Sequence, residues 1–313
     1  MKLISFVFSF KNEEKNLEEL VKRVSNSVSK LNDYKYELIF VNDASTDGSE
    51  KILENLQKNY PITIINMSRT FGVGPCVLAG FKHAEGDCVI YMDSDLQDPP
   101  EIINKLIEKF ENGFDIVHTI RTKRLGESKL KLFLTKIAYK IINYLSDIQL
   151  PTEAGDFKLI SKKALNVILQ QDEFRPYIRG LSVWVGFKQS FVNYVREPRS
   201  GGQTKFPIFS AGPFTQFISG VTAYSLKPLY LGIFLGMISL FFSIFLILYS
   251  LYMKFTNIAV PGTASILITI SFFSGIILLT LGIMSIYMAR IFEEVRGRKS
   301  YVIKEIKKSI DSI

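Results

Sequence analysis

Apolar residues fall into two regimes along this chain. Up to residue 206, short apolar runs alternate with segments of helical period; beyond Lys227 the apolar stretches become long and free of charge. The runs Leu3–Phe10, Tyr36–Val41, Ile62–Asn66, Cys88–Met92 and Phe114–Thr119 read as strands. Helical spacing fills the intervals near 14–31, 49–59, 73–84 and 100–111. Such alternation predicts an α/β domain over residues 1–206, a mostly parallel sheet covered by helices. Ligands of such sheets bind beyond the carboxyl ends of the strands. Polar clusters fall at those ends: Asn12-Glu13-Glu14, Asn42-Asp43, Asp93-Ser94-Asp95 and Arg121.

The long stretches predict two membrane-spanning helices within 228–289, near 229–252 and 264–288. Each exceeds the roughly 20 residues a helix needs to cross a bilayer. Length and the absence of charge argue against a pair of buried core helices. Pro261 and Gly262 mark a turn between the spans. The tail, residues 290–313, carries Arg290, Arg296, Arg298, Lys299, Lys304, Lys307 and Lys308, against Lys254 alone in the link. The positive-inside rule then puts both termini and the N-terminal domain in the cytosol, at the inner (cytoplasmic) membrane. Residues 207–227 read as a juxtamembrane, interfacial segment. Another amphipathic stretch lies at 129–145, with Leu130, Leu134, Ile137, Ile141 and Leu145 on one face and Lys129, Lys136 and Lys140 on another. It fits either a helix lying on a membrane surface or a solvated lysine face over a protein core.

Composition agrees with a chain of two parts. A hydrophobic content of 47% is high for a soluble enzyme, and 22% charged residues is high for a polytopic transporter. The net charge of +8 admits nucleic acid, an anionic membrane or a phosphorylated substrate as partner. Zinc-finger spacing and RNA-binding signatures are missing from the sequence, which removes nucleic acid. Cys76 and Cys88 make neither a disulfide framework nor a metal site and read as small core residues. His83 and His118 lack partner motifs and read as structural, although His118 stands near a strand end, where it could touch substrate. The opening run, interrupted by Lys11, has no cleavable-signal pattern and reads as a buried strand.

The densest chemistry lies in Asp93-Ser94-Asp95-Leu96-Gln97-Asp98-Pro99-Pro100-Glu101, directly after a predicted strand. Two carboxylates one residue apart on a loop suit a hard divalent cation, which takes oxygen ligands and often shares them with substrate phosphates. With the motifs Asn12-Glu13-Glu14, Val41 through Gly48, Arg69-Thr70-Phe71-Gly72, Arg121 through Gly126, Gly155 through Leu159 and Arg199 through Lys205-Phe206, the chain resembles the polyprenyl-phosphate branch of glycosyltransferase family 2. Dolichyl-phosphate mannose synthase and the bactoprenol glucosyltransferases belong to that branch. The resemblance spans about residues 3–210, and the two C-terminal spans fit its bacterial members.

That resemblance implies a GT-A (Rossmann-like) fold followed by a two-helix transmembrane hairpin, and an inverting, metal-dependent hexosyl transfer. Glu13 and Asp43 match positions that hold the nucleoside, and Asp93, Asp95 and Gln97 match those of the metal (Mg2+ or Mn2+) and the diphosphate. Arg121, Arg124, Arg199 and Lys205 match positions that meet the diphosphate or the acceptor phosphate, and Asp156 matches an Asp proposed as catalytic base. The expected partners are a UDP- or GDP-linked sugar, a polyprenyl phosphate such as undecaprenyl phosphate, the membrane, and further copies of the chain in a homo-oligomer. The sequence departs from the family pattern at Ser9-Phe10-Lys11, at Thr70 and at Gln203-Thr204.

Chemistry from first principles agrees on the acceptor. A phosphate monoester has a second pKa of about 6 and is largely a dianion near neutral pH. Cationic positioning then matters more than a strong base, and Arg forks suit phosphate. The resemblance to bacterial members with two C-terminal spans implies a UDP-hexose donor, such as UDP-glucose, with a GDP-mannose-dependent mannose synthase as alternative. A transferase acting on a glycan or glycolipid, a non-catalytic scaffold and a transporter are the remaining alternatives. Intact Asp93, Asp95 and Gln97 argue against the scaffold, and two spans argue against the transporter.

Overall fold

The computed structural model describes residues 1–124, 129–151, 154–171, 173–196, 211–256 and 262–309. The chain divides into two compact units, one of residues 1–144, 148–220 and 299–313, the other of 145–147 and 221–298.

The first unit is built on an eight-stranded sheet of order β7-β5-β6-β4-β1-β2-β3-β8. Its strands are β1 (Lys2–Phe10), β2 (Tyr34–Asn42), β3 (Ile62–Met67), β4 (Cys88–Tyr91), β5 (Ile116–Arg124), β6 (Ala154–Ser161), β7 (Gln189–Arg196) and β8 (Ile303–Lys308). Helices α1 (Leu17–Val28), α2 (Ser49–Leu56), α3 (Val73–Lys82) and α4 (Ile103–Glu111) connect the early strands. A 3₁₀ turn at Pro100–Ile102 opens α4. Then come α5 (Lys129–Leu145), α6 (Lys162–Gln170), α7 (Ile178–Trp184) and α8 (Ala211–Ala223).

Strands β4, β1, β2 and β3 run parallel, while β6 and β8 run antiparallel to their neighbours. The direction of β6 matters for function. Its amino end lies at the sheet edge where β1, β2, β4 and β5 finish. Both faces of the central strands are covered: Phe6, Phe8 and Phe40 pack with α1 and α4, and Val7, Ile39 and Val41 pack with α3 and α6. Burial on both faces is why these strands are unbroken apolar runs in the sequence.

The strands and helices expected through residue 119 are present, with ends shifted by a few residues. The tail is different. The helix expected to stop near 288 continues to Val295, and residues 303–308 pair with β3 as the antiparallel edge strand β8. Half-exposed edges need few apolar side chains, so Ile303 and Ile306 were the only sign of a strand among lysines. Cys76 and Cys88 are buried without a disulfide, and burial pushes both thiols up.

The second unit holds α9 (Lys227–Phe255) and α10 (Gly262–Val295), both long and apolar enough to cross a membrane. They pack on each other: a Cβ at Gly232 would lie 2.9 Å from Thr280 Cγ2, and Phe242 meets Phe272 edge-on at 5.5 Å. Small residues allow such close helix approach. Phe234, Phe241, Leu248 and Leu278 are exposed.

Candidate active site

Backbone strain gathers at the ends of three adjacent strands. Asn12, Ala44 and Leu96 follow β1, β2 and β4, and all have positive φ, at 54°, 54° and 58°. Side chains other than glycine adopt this region at a cost, and such positions concentrate at functional sites. Cross-links hold the first two loops. The N–H of Asn12 donates to Ser45 Oγ (3.0 Å), and the N–H of Thr46 donates to Asn12 Oδ1 (2.8 Å). Likewise the N–H of Glu13 donates to Ser49 Oγ (3.0 Å), and the N–H of Gly48 donates to Glu14 Oε2 (2.9 Å). Glu13 is buried, and its Oε2 accepts from Asn16 Nδ2 at 2.7 Å. Asp43 accepts the N–H groups of Phe71 (2.6 Å) and Gly72 (3.1 Å), fastening the turn into α3. Gly72 sits there at φ 91°, a conformation that glycine adopts readily. Glu13 and Asp43 therefore lie at the ends of neighbouring strands, where they also shape the loops.

The acidic cluster follows β4. The antiparallel run of β6 brings Asp156 to the same sheet edge. Burial pushes the Asp93 carboxyl up to about 7, reinforced by the charges of Asp156, Asp98 and Asp95. Tyr91 Oη donates to Asp93 Oδ1 at 3.1 Å, and the N–H of Gln97 donates to Asp95 Oδ1 at 3.2 Å, bracing the turn through Leu96. Among the described residues no three His, Cys, Asp or Glu side chains form a closed metal cage. Asp93 and Asp95 supply carboxylates and Gln97 an amide oxygen. An open, oxygen-only set fits Mg2+ or Mn2+ completed by substrate phosphates. The crowding that raises Asp93 is what an added cation would relieve.

The family resemblance sets Arg121 against the diphosphate or the acceptor phosphate. In the structure it is 9% exposed, its Nε donates to Tyr194 Oη at 2.8 Å, and its Nη2 lies 3.6 Å from Asp98 Oδ1. Asp98 is fully buried, accepts from Tyr194 Oη, and has Arg196 Nε at 3.9 Å. A Cβ on Gly155 would sit 2.8 Å from Arg121 Nη2, so a side chain there must displace this guanidinium. Arg121 is thus a fixed cation behind the acidic cluster. The Arg124 side chain, Arg199 and Lys205 lie outside the described residues.

Asp156 has a dedicated partner that the sequence gave no reason to name. Arg179 grips it with two bonds, Nε to Oδ1 at 2.7 Å and Nη2 to Oδ2 at 2.5 Å, while its Nη1 donates to Tyr139 Oη at 3.0 Å. Burial alone would raise the Asp156 carboxyl, but Arg179, Lys158 and Arg121 hold it well below the usual carboxylate range. Lys158 is buried next to this pair, donates to Ser182 Oγ at 3.1 Å and is pushed down to about 8 by desolvation. Beside Asp156 opens a cleft of about 480 Å³. Apolar Phe71, Val73 and Phe174 line it together with Arg69, Arg175 and Arg179. Asp98, Tyr194, Arg179, Tyr139 and Lys158 escaped the sequence reading. Asp98 and Lys158 had a signal, their places in the Asp93–Glu101 and Gly155–Leu159 motifs.

Comparison with known proteins places these features in a wider set. The sequence model of glycosyl transferase family 2 matches residues 5–169. The chain is 39% identical over 308 residues to an uncharacterized glycosyltransferase of Synechocystis sp., covering 97% of this chain and 95% of that one. It is 36% identical over 303 residues to the uncharacterized glycosyltransferase YkcC of Bacillus subtilis, covering 96% and 93%. It is 34% identical over 310 residues to the prophage bactoprenol glucosyl transferase homolog of Escherichia coli, covering 97% and 99%.

Proposed function

This chain belongs to glycosyl transferase family 2 and is a glycosyltransferase of GT-A type; from that premise we propose that it transfers a hexose from a nucleotide sugar to the phosphate of a polyprenyl lipid, with inversion at the anomeric carbon. The donor is a UDP-hexose such as UDP-glucose, and the acceptor is undecaprenyl phosphate. The observation that carries this reading is the similarity to a bactoprenol glucosyl transferase homolog over 97% of the chain, the two apolar helices included. A soluble-acceptor enzyme has no need of the helices.

The site's geometry supports a division of labour. The nucleoside lies over the strained loops after β1 and β2, near Glu13 and Asp43. The diphosphate lies at the turn after β4, where Asp93, Asp95 and Gln97 would hold the divalent cation. That cation supplies Lewis-acid neutralisation of charge on the departing diphosphate. The acceptor dianion attacks without giving up a proton. Asp156 accordingly serves to fix Arg179 at the wall of the cleft, since a carboxylate held that far below its usual range is a weak base. Arg121, locked by Asp98 and Tyr194, offsets the negative charge of the cluster from behind. Arg124, Arg199 and Lys205 remain candidates for the acceptor phosphate on the sequence alone.

Membrane placement has independent support. Strands β1 and β8 precede and follow the apolar helices, yet both belong to one sheet. If α9 and α10 span the bilayer, the residues before and after them must lie on one side. The basic residues after α10 make that side the cytosol. Ile137 and Ile141 of α5 are 40% and 41% exposed, which favours a membrane-surface role over a buried face.

Release of nucleoside diphosphate from a panel of UDP-glucose, UDP-galactose, UDP-N-acetylglucosamine and GDP-mannose tests the donor assignment. The expected result is release from a UDP-hexose that needs both undecaprenyl phosphate and Mg2+ or Mn2+, and stops with chelator. Release from GDP-mannose alone, or release indifferent to chelator, overturns the donor or the metal assignment.

A further inference from the structure

The edge strand β8 reaches the donor side of the site through side chains. Lys307 Nζ donates to Glu50 Oε1 at 2.8 Å and to Glu54 Oε1 at 2.7 Å. Glu50 Oε1 also accepts from Asn66 Nδ2 at 2.6 Å. Asn66 Oδ1 accepts from Asn42 Nδ2 at 3.0 Å, and Asn42 Oδ1 accepts the N–H of Ser45 at 2.9 Å. Ser45 Oγ then accepts the N–H of Asn12 at 3.0 Å. The chain of bonds runs unbroken from the C-terminal strand to the two strained loops.

Its direction has one solution. Lys307 can only donate and the Glu50 carboxylate only accept, so Asn66 must present its NH2 to Glu50 and its carbonyl to Asn42. That in turn fixes the Asn42 carbonyl on the Ser45 N–H. Flipping either amide breaks bonds on both of its sides. Asn42 and Asn66 are buried, at 4% and 6% exposure, so those losses would not be made up by water. Exposed ion pairs count for little by themselves, and Lys307 keeps 30% of its side chain exposed. What sets this one apart is its continuation inward to Asn12 and Ala44, whose positive φ angles persist only where the surroundings over-determine them.

We propose that Lys307 is a positioning residue for the nucleotide donor, holding the loops after β1 and β2 in their binding conformation through Glu50, Asn66, Asn42 and Ser45. This rests on the reading that those loops bind the nucleoside. It makes donor binding depend on a strand that enters the sheet only after both apolar helices. Sequence reading counted Lys307 as one more charge of a basic tail.

The test uses the full-length protein in detergent, with Lys307→Met, Glu50→Gln and Lys307→Arg. UDP binding with Mn2+ is measured by calorimetry, and kcat and KM are measured for UDP-glucose and undecaprenyl phosphate. Hydrogen exchange is followed over residues 42–49. Lys307→Met and Glu50→Gln should each weaken UDP binding and raise donor KM about three- to thirtyfold, with kcat and lipid KM near wild type. Exchange at 42–49 should quicken, Lys307→Arg should restore all three readouts, and the double variant should be no worse than Glu50→Gln. Unchanged UDP affinity and unchanged exchange in Lys307→Met refute the relay while leaving the transferase reading intact. A fall in thermal stability with donor KM unmoved also refutes it, because a merely structural clamp behaves so. A wild type that binds neither UDP nor GDP refutes the donor reading, and the proposed role of Lys307 falls with it.

Discussion

Asp156 is where two mechanisms part. If it were the proton acceptor, Asp156→Asn would lose the 10²–10⁴-fold typical of a general base. Gripped by Arg179, it is instead expected to lose about tenfold or less in kcat, because asparagine still accepts one guanidinium bond and the acceptor dianion has no proton to give. Arg179→Ala should be worse. It removes the charge-assisted bonds of a part-buried carboxylate, a change that costs about 1.5–3 kcal/mol, and should appear both as lower thermal stability and as lost turnover. Steady-state kinetics of the two variants rank them, and an Asp156→Asn enzyme that is dead with normal donor and lipid binding restores the base mechanism. Asp95→Ala should abolish transfer while the protein still folds, read by turnover and melting temperature together. The carboxylates of the cluster were legible because spacing in one loop displays them. Arg179 was not, since its role exists only once β6 and α7 are brought together.

His118 allows a separate check on burial. Desolvation and the nearby Lys158 charge push its imidazole down to about 3. Its Nε2 bonds Gln189 at 3.0 Å and its ring stacks on Phe191. Below the ordinary histidine pKa of about 6.5 the unfolded chain binds a proton that the folded one refuses, so stability rises with pH between about 3 and 6.5. Within that window this one group contributes a slope of about 1.4 kcal/mol per pH unit. His118→Gln should therefore lose less melting temperature than wild type between pH 7 and pH 5. Equal losses would mean that the imidazole is not held neutral.

At the scale of elements, the sheet edge assembles the site because β6 runs against its neighbours, so its first residues meet the last residues of β4 and β5. Gly155, in the first turn of that meeting, should not tolerate a side chain. Gly155→Ala drives a Cβ to 2.8 Å from Arg121 Nη2 and should cost about 1–3 kcal/mol with a fall in kcat. Thermal unfolding beside kinetics checks this, and a variant with wild-type stability and turnover would mean that Arg121 moves aside without consequence. Strands β1 to β4 were readable because both faces are buried and leave uninterrupted apolar runs. Strands β7 and β8 lie at the two edges of the sheet; β7 alternates buried with exposed positions over its second half and β8 buries no residue fully, so composition hid them. Tyr194, which joins the site from β7, was hidden for the same reason.

At the scale of the whole molecule, the chain leaves its sheet for the apolar helices and returns to it. Charge counting predicts cytosolic ends; β8 pairs with β3, so if α9 and α10 span a bilayer the segments before and after them share one side. Labelling from outside intact cells should reach Asn257→Cys and spare Ser309→Cys, with little background because Cys76 and Cys88 are buried. Reaction at Ser309→Cys from outside would reverse the orientation.

Product analysis shows whether the acceptor group is a lipid phosphate. Purified protein, labelled UDP-glucose and Mn2+ are incubated with undecaprenyl phosphate or with undecaprenol, and the lipid phase is resolved. A labelled lipid is expected with undecaprenyl phosphate, labile to mild acid as a glycosyl phosphate should be, with none from undecaprenol and none from Asp95→Ala. Equal labelling of the alcohol, or label that reaches only a glycan or free glucose, would contradict it.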